Sequence, residues 1–238
     1  MHRDPRHLLR WAQDEFGSRF AVVTSFQDEG MVLLHMAAAI DPGIRVITLD
    51  TGRLPGATFE MMEIVRNQLG LNVEVVYPDA NELERMVTRY GPSLFHRDPS
   101  LRKLCCHVRK TLPLERKLSG ISAWAAGLRR GQSEERASVE QVESNGGRTK
   151  LNPLAHWTAT EVAAYLERHR VPRHPLYAEG YTTIGCAPCT RALNAGESGR
   201  DGRWWWETES AKECGIHVAA DGAMRRTLDV LLEDILVR

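Results

Sequence analysis

The five cysteines are the residues of this chain best suited to chemistry, and their spacing divides them four and one. Cys105 and Cys106 are adjacent, and about 80 residues downstream Cys186-Ala187-Pro188-Cys189 forms a second close pair. A lone cysteine usually behaves as a small buried apolar residue. Two close pairs flanked by glycine, proline and basic residues instead match thiolates converging on a metal centre. Four thiolates can surround one tetrahedral zinc, or each can take an iron corner of a 4Fe-4S cube. Spacing admits both, although adjacent cysteines restrict chelation of a single ion and so favour the cube. Arg102, Lys103, His107, Arg109 and Lys110 surround the first pair and Arg191 follows the second. They read either as a solvated basic helix face or as cations that stabilise an anionic cluster and meet an anionic substrate.

The fifth cysteine, Cys214, lies in Lys212-Glu213-Cys214-Gly215-Ile216-His217, within a glycine-rich, charged stretch of little periodicity. That setting argues against a core cysteine and for a mobile segment from 194 to 222. A thiol with a pKa of about 8.5 is only slightly ionised at neutral pH, and Lys212 or His217 nearby would raise its thiolate fraction. A cysteine on such an arm can attack inside a closed site and then meet a second partner outside it. Upstream, Arg200-Asp201-Gly202-Arg203 suits a bidentate grip on phosphate or sulfate. Of Trp204, Trp205 and Trp206, at least one is expected to bury against the core, and the others to cover a ligand.

These groups need a scaffold, and the hydrophobic pattern supplies one. Short β-rich runs at 21–24, 45–49 and 73–77 alternate with helical patterns at 31–40, 59–69 and 82–90. Such alternation predicts a mostly parallel α/β sheet flanked by helices, doubly wound in its first half. A further helical pattern runs from Cys106 toward Leu118 with Pro113 interrupting it, and 122–127 reads as a buried strand ending in a glycine turn. Residues 131–150 form a polar loop or hairpin. Thr158 and Glu161 have capping-box spacing for a helix to His169, before Pro172. A last helix is expected near 228–236. The organisation is an α/β unit over 1–193 followed by a segment over 194–238 that carries Cys214.

Parallel sheets bind nucleotides where strand turns to helix. Two junctions, 24–30 (Thr-Ser-Phe-Gln-Asp-Glu-Gly) and 49–53 (Leu-Asp-Thr-Gly-Arg), supply hydroxyls, amides and a helix N-terminus for an anion. A third, Ala126-Gly127-Leu128-Arg129-Arg130 with Arg136 beyond it, reads equally as an exposed basic loop or as an anion or adenine contact.

Composition narrows the partners. Hydrophobic residues make up 42% and charged residues 26%, which is ordinary for a globular chain. Lys plus Arg and Asp plus Glu each total 31, so no global field attracts nucleic acid or anionic lipid. The longest apolar stretch, 31–40, is too short to span a bilayer, and the N-terminus lacks a signal-peptide pattern. A cytoplasmic chain is expected, where cysteines serve metal or thiol chemistry rather than disulfides. Oligomeric state is left open, a homo-oligomer included.

The residues quoted above, with His174-Pro175-Leu176-Tyr177 and Gly180-Tyr181, resemble the assimilatory adenylylsulfate (APS) and phosphoadenylylsulfate (PAPS) reductases over almost the whole chain. The most specific part is the Cys-Cys and Cys-x-x-Cys set with the terminal Glu-Cys-Gly-Ile-His. The resemblance implies an adenine-nucleotide α-hydrolase-like fold and a 4Fe-4S cluster on Cys105, Cys106, Cys186 and Cys189. It implies that Cys214 attacks the sulfate sulfur of APS, expels AMP and forms an S-sulfocysteine, from which thioredoxin or a glutaredoxin-like reductant releases sulfite. Ser25, Gln27, Lys110, Arg136, Arg200 and Arg203 would hold the phosphosulfate; Thr51, Gly52 and Gly127 would lie near the nucleoside, with His217 also on the substrate. Members that prefer PAPS typically lack the four cysteines, which favours APS, although PAPS or dual use stays open. The 24–30 loop departs from the Ser-Gly-Gly-x-Asp-Ser pattern of related ATP pyrophosphatases. Two rivals, an iron-sulfur tRNA thiolation enzyme and a zinc-stabilised nucleotide-binding module, leave features unexplained: the first wants an intact ATP loop and a basic RNA surface, and the second gives Cys214 no role.

Overall fold

The computed structural model describes residues 4–145, 147–207 and 222–236. One six-stranded sheet organises them in the order β3-β2-β1-β4-β6-β5. The strands are β1 (Phe20–Thr24), β2 (Arg45–Leu49), β3 (Val73–Val76), β4 (Ala123–Ala126), β5 (Val142–Asn145) and β6 (Arg148–Leu151). All neighbours pair in parallel except β5 with β6, which form a hairpin. The expected mostly parallel α/β sheet is therefore present, and the polar 131–150 region contributes its hairpin to one edge.

Burial explains the parallel strands. β4 (Ala-Trp-Ala-Ala) is buried at every position, and Val22, Val46 and Ile47 are fully enclosed. Strands covered on both faces read as continuous apolar runs rather than alternating ones. One face is covered by α1 (Pro5–Phe16), α2 (Asp28–Ile40), α3 (Gly56–Leu69) and α7 (Ala159–His169), whose apolar residues join one core with Val22 and Val46. A second layer joins Ala21, Ile47, Trp124 and Leu114 on the other face. Thr158 and Glu161 complete the expected capping box at the start of α7.

Three elements differ from the sequence pattern. Helix α2 starts three residues before the apolar run, at Asp28, because Asp28 and Glu29 favour the first turn of a helix. The pattern around Pro113 is split: α5 (Pro99–Cys106) passes into a π-helical turn, His107–Thr111, and then α6 (Leu112–Leu118). Pro113 thereby falls in the first turn of α6, where its missing N–H costs nothing, and the wide turn absorbs the interruption. The third difference lies between 194 and 207, expected to be mobile. Arg203, Trp204 and Glu207 are buried, and Thr190 bridges Arg203. Beyond the described gap, α8 (Gly222–Leu236) packs on α4 (Ala80–Tyr90) and α5, with Asp234 bonded to Arg89 and Tyr90.

An ion-pair network ties the sheet edge to α6. Glu74 on β3 takes both Arg45 on β2, at 2.7 Å, and Lys117, at 2.7 Å. Chiefly through the Arg45 hydrogen bond, and against the effect of burial, its carboxyl is held down to about 2 from an ordinary 4.5. A depressed carboxyl stabilises the fold above its unfolded pKa and ceases to as pH falls through the folded value. Replacing Glu74 by Gln is expected to cost about 1 kcal/mol at neutral pH, a part-exposed pair's share. That difference should vanish between about 4.5 and about 2 in urea melts taken across pH.

Candidate active site

The strand order reverses between β1 and β4, and an open sheet binds its ligands at such a switch point. A pocket of about 450 Å³ lies there, bounded by the carboxyl ends of β1, β2 and β4. Its first wall is the loop after β1. Thr24 Oγ1 accepts from Phe26 N at 3.0 Å, and Phe26 turns the chain with a left-handed φ of 57°. That conformation is costly for a bulky residue. Complete burial of the Phe26 ring in the core offsets the cost. Ser25 and Gln27 then border the cavity as α2 begins.

Two ion pairs, one largely enclosed and one exposed, fix the start of α2. Arg129 donates to Glu29 at 2.8 Å, and Arg173 grips both carboxylate oxygens of Asp28. Tyr177 Oη accepts from Asp28 N at 3.3 Å. Burial first, and then the Asp28 charge, keep the Tyr177 phenol well above its ordinary pKa, so it stays protonated. Gly127 ends β4 against this turn, where a Cβ would sit 2.8 Å from Glu29 Cβ and 3.0 Å from the Glu29 carbonyl carbon. Gln132 braces the loop beyond, donating to Gly127 O and accepting from Arg136.

The opposite wall adjoins the cysteines. Cys105 and Cys106 end α5, Cys186 and Cys189 flank a short turn, and all four are outside any disulfide, buried and packed in one cluster with Trp204. Thr51 joins this cluster to the pocket. Its Oγ1 accepts from Arg53 N and lies 3.2 Å from Cys186 Sγ, within hydrogen-bond reach of the sulfur, with either group able to donate. Arg109, in the π-helical turn, donates to Thr51 O at 2.6 Å. Burial would raise the Cys186 thiol, but Lys110, the Thr51 hydrogen bond, Arg203 and Arg109 together hold it below its ordinary value. Burial pushes Cys189 up to about 11 and raises Cys105 as well, aided in both by the charge of Cys186. Among the described residues no three His, Cys, Asp or Glu side chains converge as on a metal ion.

A clamp brings the 200–207 stretch against both cysteine pairs. Arg203 Nε donates to Cys189 O, and Arg102 on α5 pairs with Glu207 at 2.6 Å in full burial. The Trp204 ring lies 4.2 Å from the Arg102 guanidinium and 4.3 Å from that of Arg203. At Gly185 a Cβ would sit 2.5 Å from the Arg203 guanidinium, so any side chain there would displace that group.

Ser25, Gln27, Thr51, Lys110, Gly127, Arg136, Arg200 and Arg203 thus line one cavity, although they come from five stretches of chain. Gly52 does not line it; with φ of 69° it shapes the turn after β2 and donates its N–H to Asp50. Cys214 and His217 lie outside the described residues. The Glu29–Arg129 pair, Tyr177 and the 182–185 wall are not visible in the sequence, since each depends on a contact across a hundred residues or more or on backbone shape.

The site and sheet define a nucleotide-sized anion pocket of an α/β protein with a cysteine cluster behind its wall. A family model described as "Phosphoadenosine phosphosulfate reductase domain" matches residues 19–192, and the chain belongs to that family. It is 46% identical over 196 residues to a protein of Allochromatium vinosum named adenosine 5'-phosphosulfate reductase, spanning 82% of this chain and 77% of that one. A Burkholderia cepacia protein of the same name is 43% identical over 197 residues, covering 82% and 79%. Among solved structures, a PAPS reductase from Candida auris in a phosphate complex superposes with a TM-score of 0.66 at 26% identity, covering 78% of this chain and 89% of that one. A yeast FAD synthetase, 12% identical with a TM-score of 0.55 and covering 79% and 66%, shares the fold.

Gly127→Ala is expected to force β4 away from the first turn of α2. Overpacking of this kind costs about 1–3 kcal/mol. The loss should be visible as a lowered melting temperature, together with weaker binding of AMP measured by calorimetry.

Proposed function

We propose that this chain is an APS reductase, converting APS and a dithiol into AMP, sulfite and a disulfide. The observation that carries the reading is the 450 Å³ pocket with Lys110, Arg136, Arg200 and Arg203 on its walls at the carboxyl edge of the sheet. Its volume suits a nucleotide, and the cations suit a group bearing both phosphate and sulfate. The relatives at 46% and 43% identity carry the corresponding name.

In this reading Ser25, Gln27, Lys110, Arg136, Arg200 and Arg203 surround the phosphosulfate, while Thr51 and Gly127 lie toward the nucleoside and Gly52 only shapes the turn that presents Thr51. Cys214, on the segment after the 1–193 unit and with His217 beside it, supplies the nucleophile. Its thiolate attacks the sulfate sulfur; a sulfur–sulfur bond forms, and the sulfur–oxygen bond to the phosphate breaks, its electron pair leaving on AMP. Charge accumulates on the sulfonyl oxygens in that transition state, and the fixed guanidiniums and Lys110 offset it without reorganising. A thiolate of thioredoxin, or of a glutaredoxin-like protein, then attacks Cys214 Sγ. Sulfite departs with the bonding pair, and the reductant's second thiol closes its disulfide, restoring Cys214. The dithiol's two electrons thus become those of sulfite.

Cys105, Cys106, Cys186 and Cys189 are assigned to a 4Fe-4S cluster. What supports the assignment is four buried cysteines outside any disulfide packed in one cluster, with Lys110, Arg203 and Arg109 favouring the ionised form of Cys186. Such a cluster would supply the iron charge that lets four buried thiols ionise together. Among the described residues no helix is long and apolar enough to cross a membrane, and the reading is of a cytoplasmic enzyme acting without nucleic acid or membrane. PAPS, alone or beside APS, is the second reading, favoured by the family description and the Candida auris structure.

Incubation with APS or with PAPS, without reductant, followed by mass spectrometry, tests site and substrate together. The expected result is one added sulfonate on Cys214, formed faster from APS; faster labelling by PAPS selects the second reading, and labelling elsewhere or not at all refutes the nucleophile. The Cys214→Ser variant should bind AMP yet release no sulfite. Metal analysis of protein purified without oxygen should find about four irons per chain and a brown colour. One zinc in a colourless protein would overturn the cluster assignment.

A further inference from the structure

The amide of Gln27 is committed at both ends. Its Oε1 accepts the backbone N–H of Ile184 at 2.9 Å, and its Nε2 donates to Ser25 Oγ at 3.0 Å. A backbone N–H is a donor only, so the amide atom facing Ile184 is the oxygen, and the NH2 group necessarily faces Ser25. The Ser25 oxygen is then occupied as an acceptor, and its single hydrogen must point elsewhere. Ser25 is exposed and borders the pocket, as Gln27 does, so that hydrogen is available to a ligand in the cavity.

We infer that Gln27 is a positioning residue, which holds Ser25 as a hydrogen-bond donor toward an anionic oxygen of the phosphosulfate instead of gripping that group itself. The inference rests on the APS reading of this pocket and deepens it. A free serine hydroxyl rotates among all nearby partners and can turn either its hydrogen or a lone pair to the anion. The chain Ile184 N–H, Gln27 amide, Ser25 hydroxyl narrows that freedom, since it occupies one serine lone pair and bars the hydrogen from the Gln27 side. It also joins the anion loop to the chain two residues before Cys186, so the loop and the second cysteine pair keep a fixed separation. Glutamate, equal in length, would still accept from Ile184. Its second oxygen, however, could only accept; it would capture the Ser25 hydrogen and turn the serine lone pairs toward the ligand.

The test is equilibrium binding of ADP, AMP and adenosine to the full chain by calorimetry, with ADP standing for the doubly anionic group. Ser25→Ala is expected to weaken ADP about tenfold, the worth of one hydrogen bond to a charged group, and to leave adenosine unchanged. Gln27→Ala should weaken ADP by up to about tenfold, and the Ser25→Ala, Gln27→Ala double variant should bind no more weakly than Ser25→Ala alone. Gln27→Glu should lose more than Gln27→Ala, and its loss should shrink in the Ser25→Ala background; being isosteric, it carries the test if Gln27→Ala does not fold. Unchanged ADP affinity in Gln27→Ala, or losses that multiply in the double variant, would overturn the inference while adenosine and ADP binding by the parent chain upheld the pocket. Failure of the parent chain to bind any of the three would instead defeat the nucleotide reading, and the inference with it.

Discussion

The buried pair between Arg102 and Glu207 sets where the 200–207 stretch lies. Both side chains are almost wholly removed from water, so neither charge is tolerable without the other. Breaking such a pair from one side typically costs about 3–5 kcal/mol. Because Arg102 stands on the helix that ends in Cys105 and Cys106, the pair fastens the 200–207 stretch to the first cysteine pair. Trp204 fills the space between, and Arg203 reaches the carbonyl of Cys189. Two cysteine pairs distant in sequence become neighbours, and Arg200 and Arg203 come to border the pocket.

The same stretch shows how one set of cations serves two needs. Lys110 and Arg203 line the cavity and also lower the Cys186 thiol, so the pocket and the sulfur cluster share their positive charge. Thr51 stands on the common wall, its hydroxyl hydrogen-bonded to the Cys186 sulfur. An anion entering the pocket and a thiolate behind the wall compete for one field, and low dielectric strengthens both interactions. The π-helical turn matters here because it carries Arg109 and Lys110 directly after the cysteines. An uninterrupted α-helix through Pro113 would lose a hydrogen bond and meet the ring, so the wide turn also resolves a local conflict.

Much of the scaffold was legible because its signals are local. Arg45–Leu49 matched its strand to the residue, since apolar β-formers there are bounded by a glycine turn and by the Asp50 turn. The capping box at Thr158 and Glu161 is a contact between residues three apart, and such contacts can be read without a fold. The hydrophobic pattern marks α2 only from Met31 because its first turn is polar, and helix ends are written in capping chemistry rather than in hydrophobic period. The 194–207 stretch read as mobile because its anchors are single residues, Arg203, Trp204 and Glu207, whose partners lie on α5 and beside Cys189.

Residue types and spacing by themselves determined the division of the cysteines, the parallel α/β class and the loops that present hydroxyls and cations. Each of those depends on neighbours a few positions apart or on a repeated period. Only the tertiary structure decided that eight substrate candidates share one cavity, that Gln27 is spent on Ser25 and Ile184, and that Thr51 faces a sulfur. Those facts turn on the direction of single hydrogen bonds between residues as far as 157 positions apart, and direction exists only once the chain has packed.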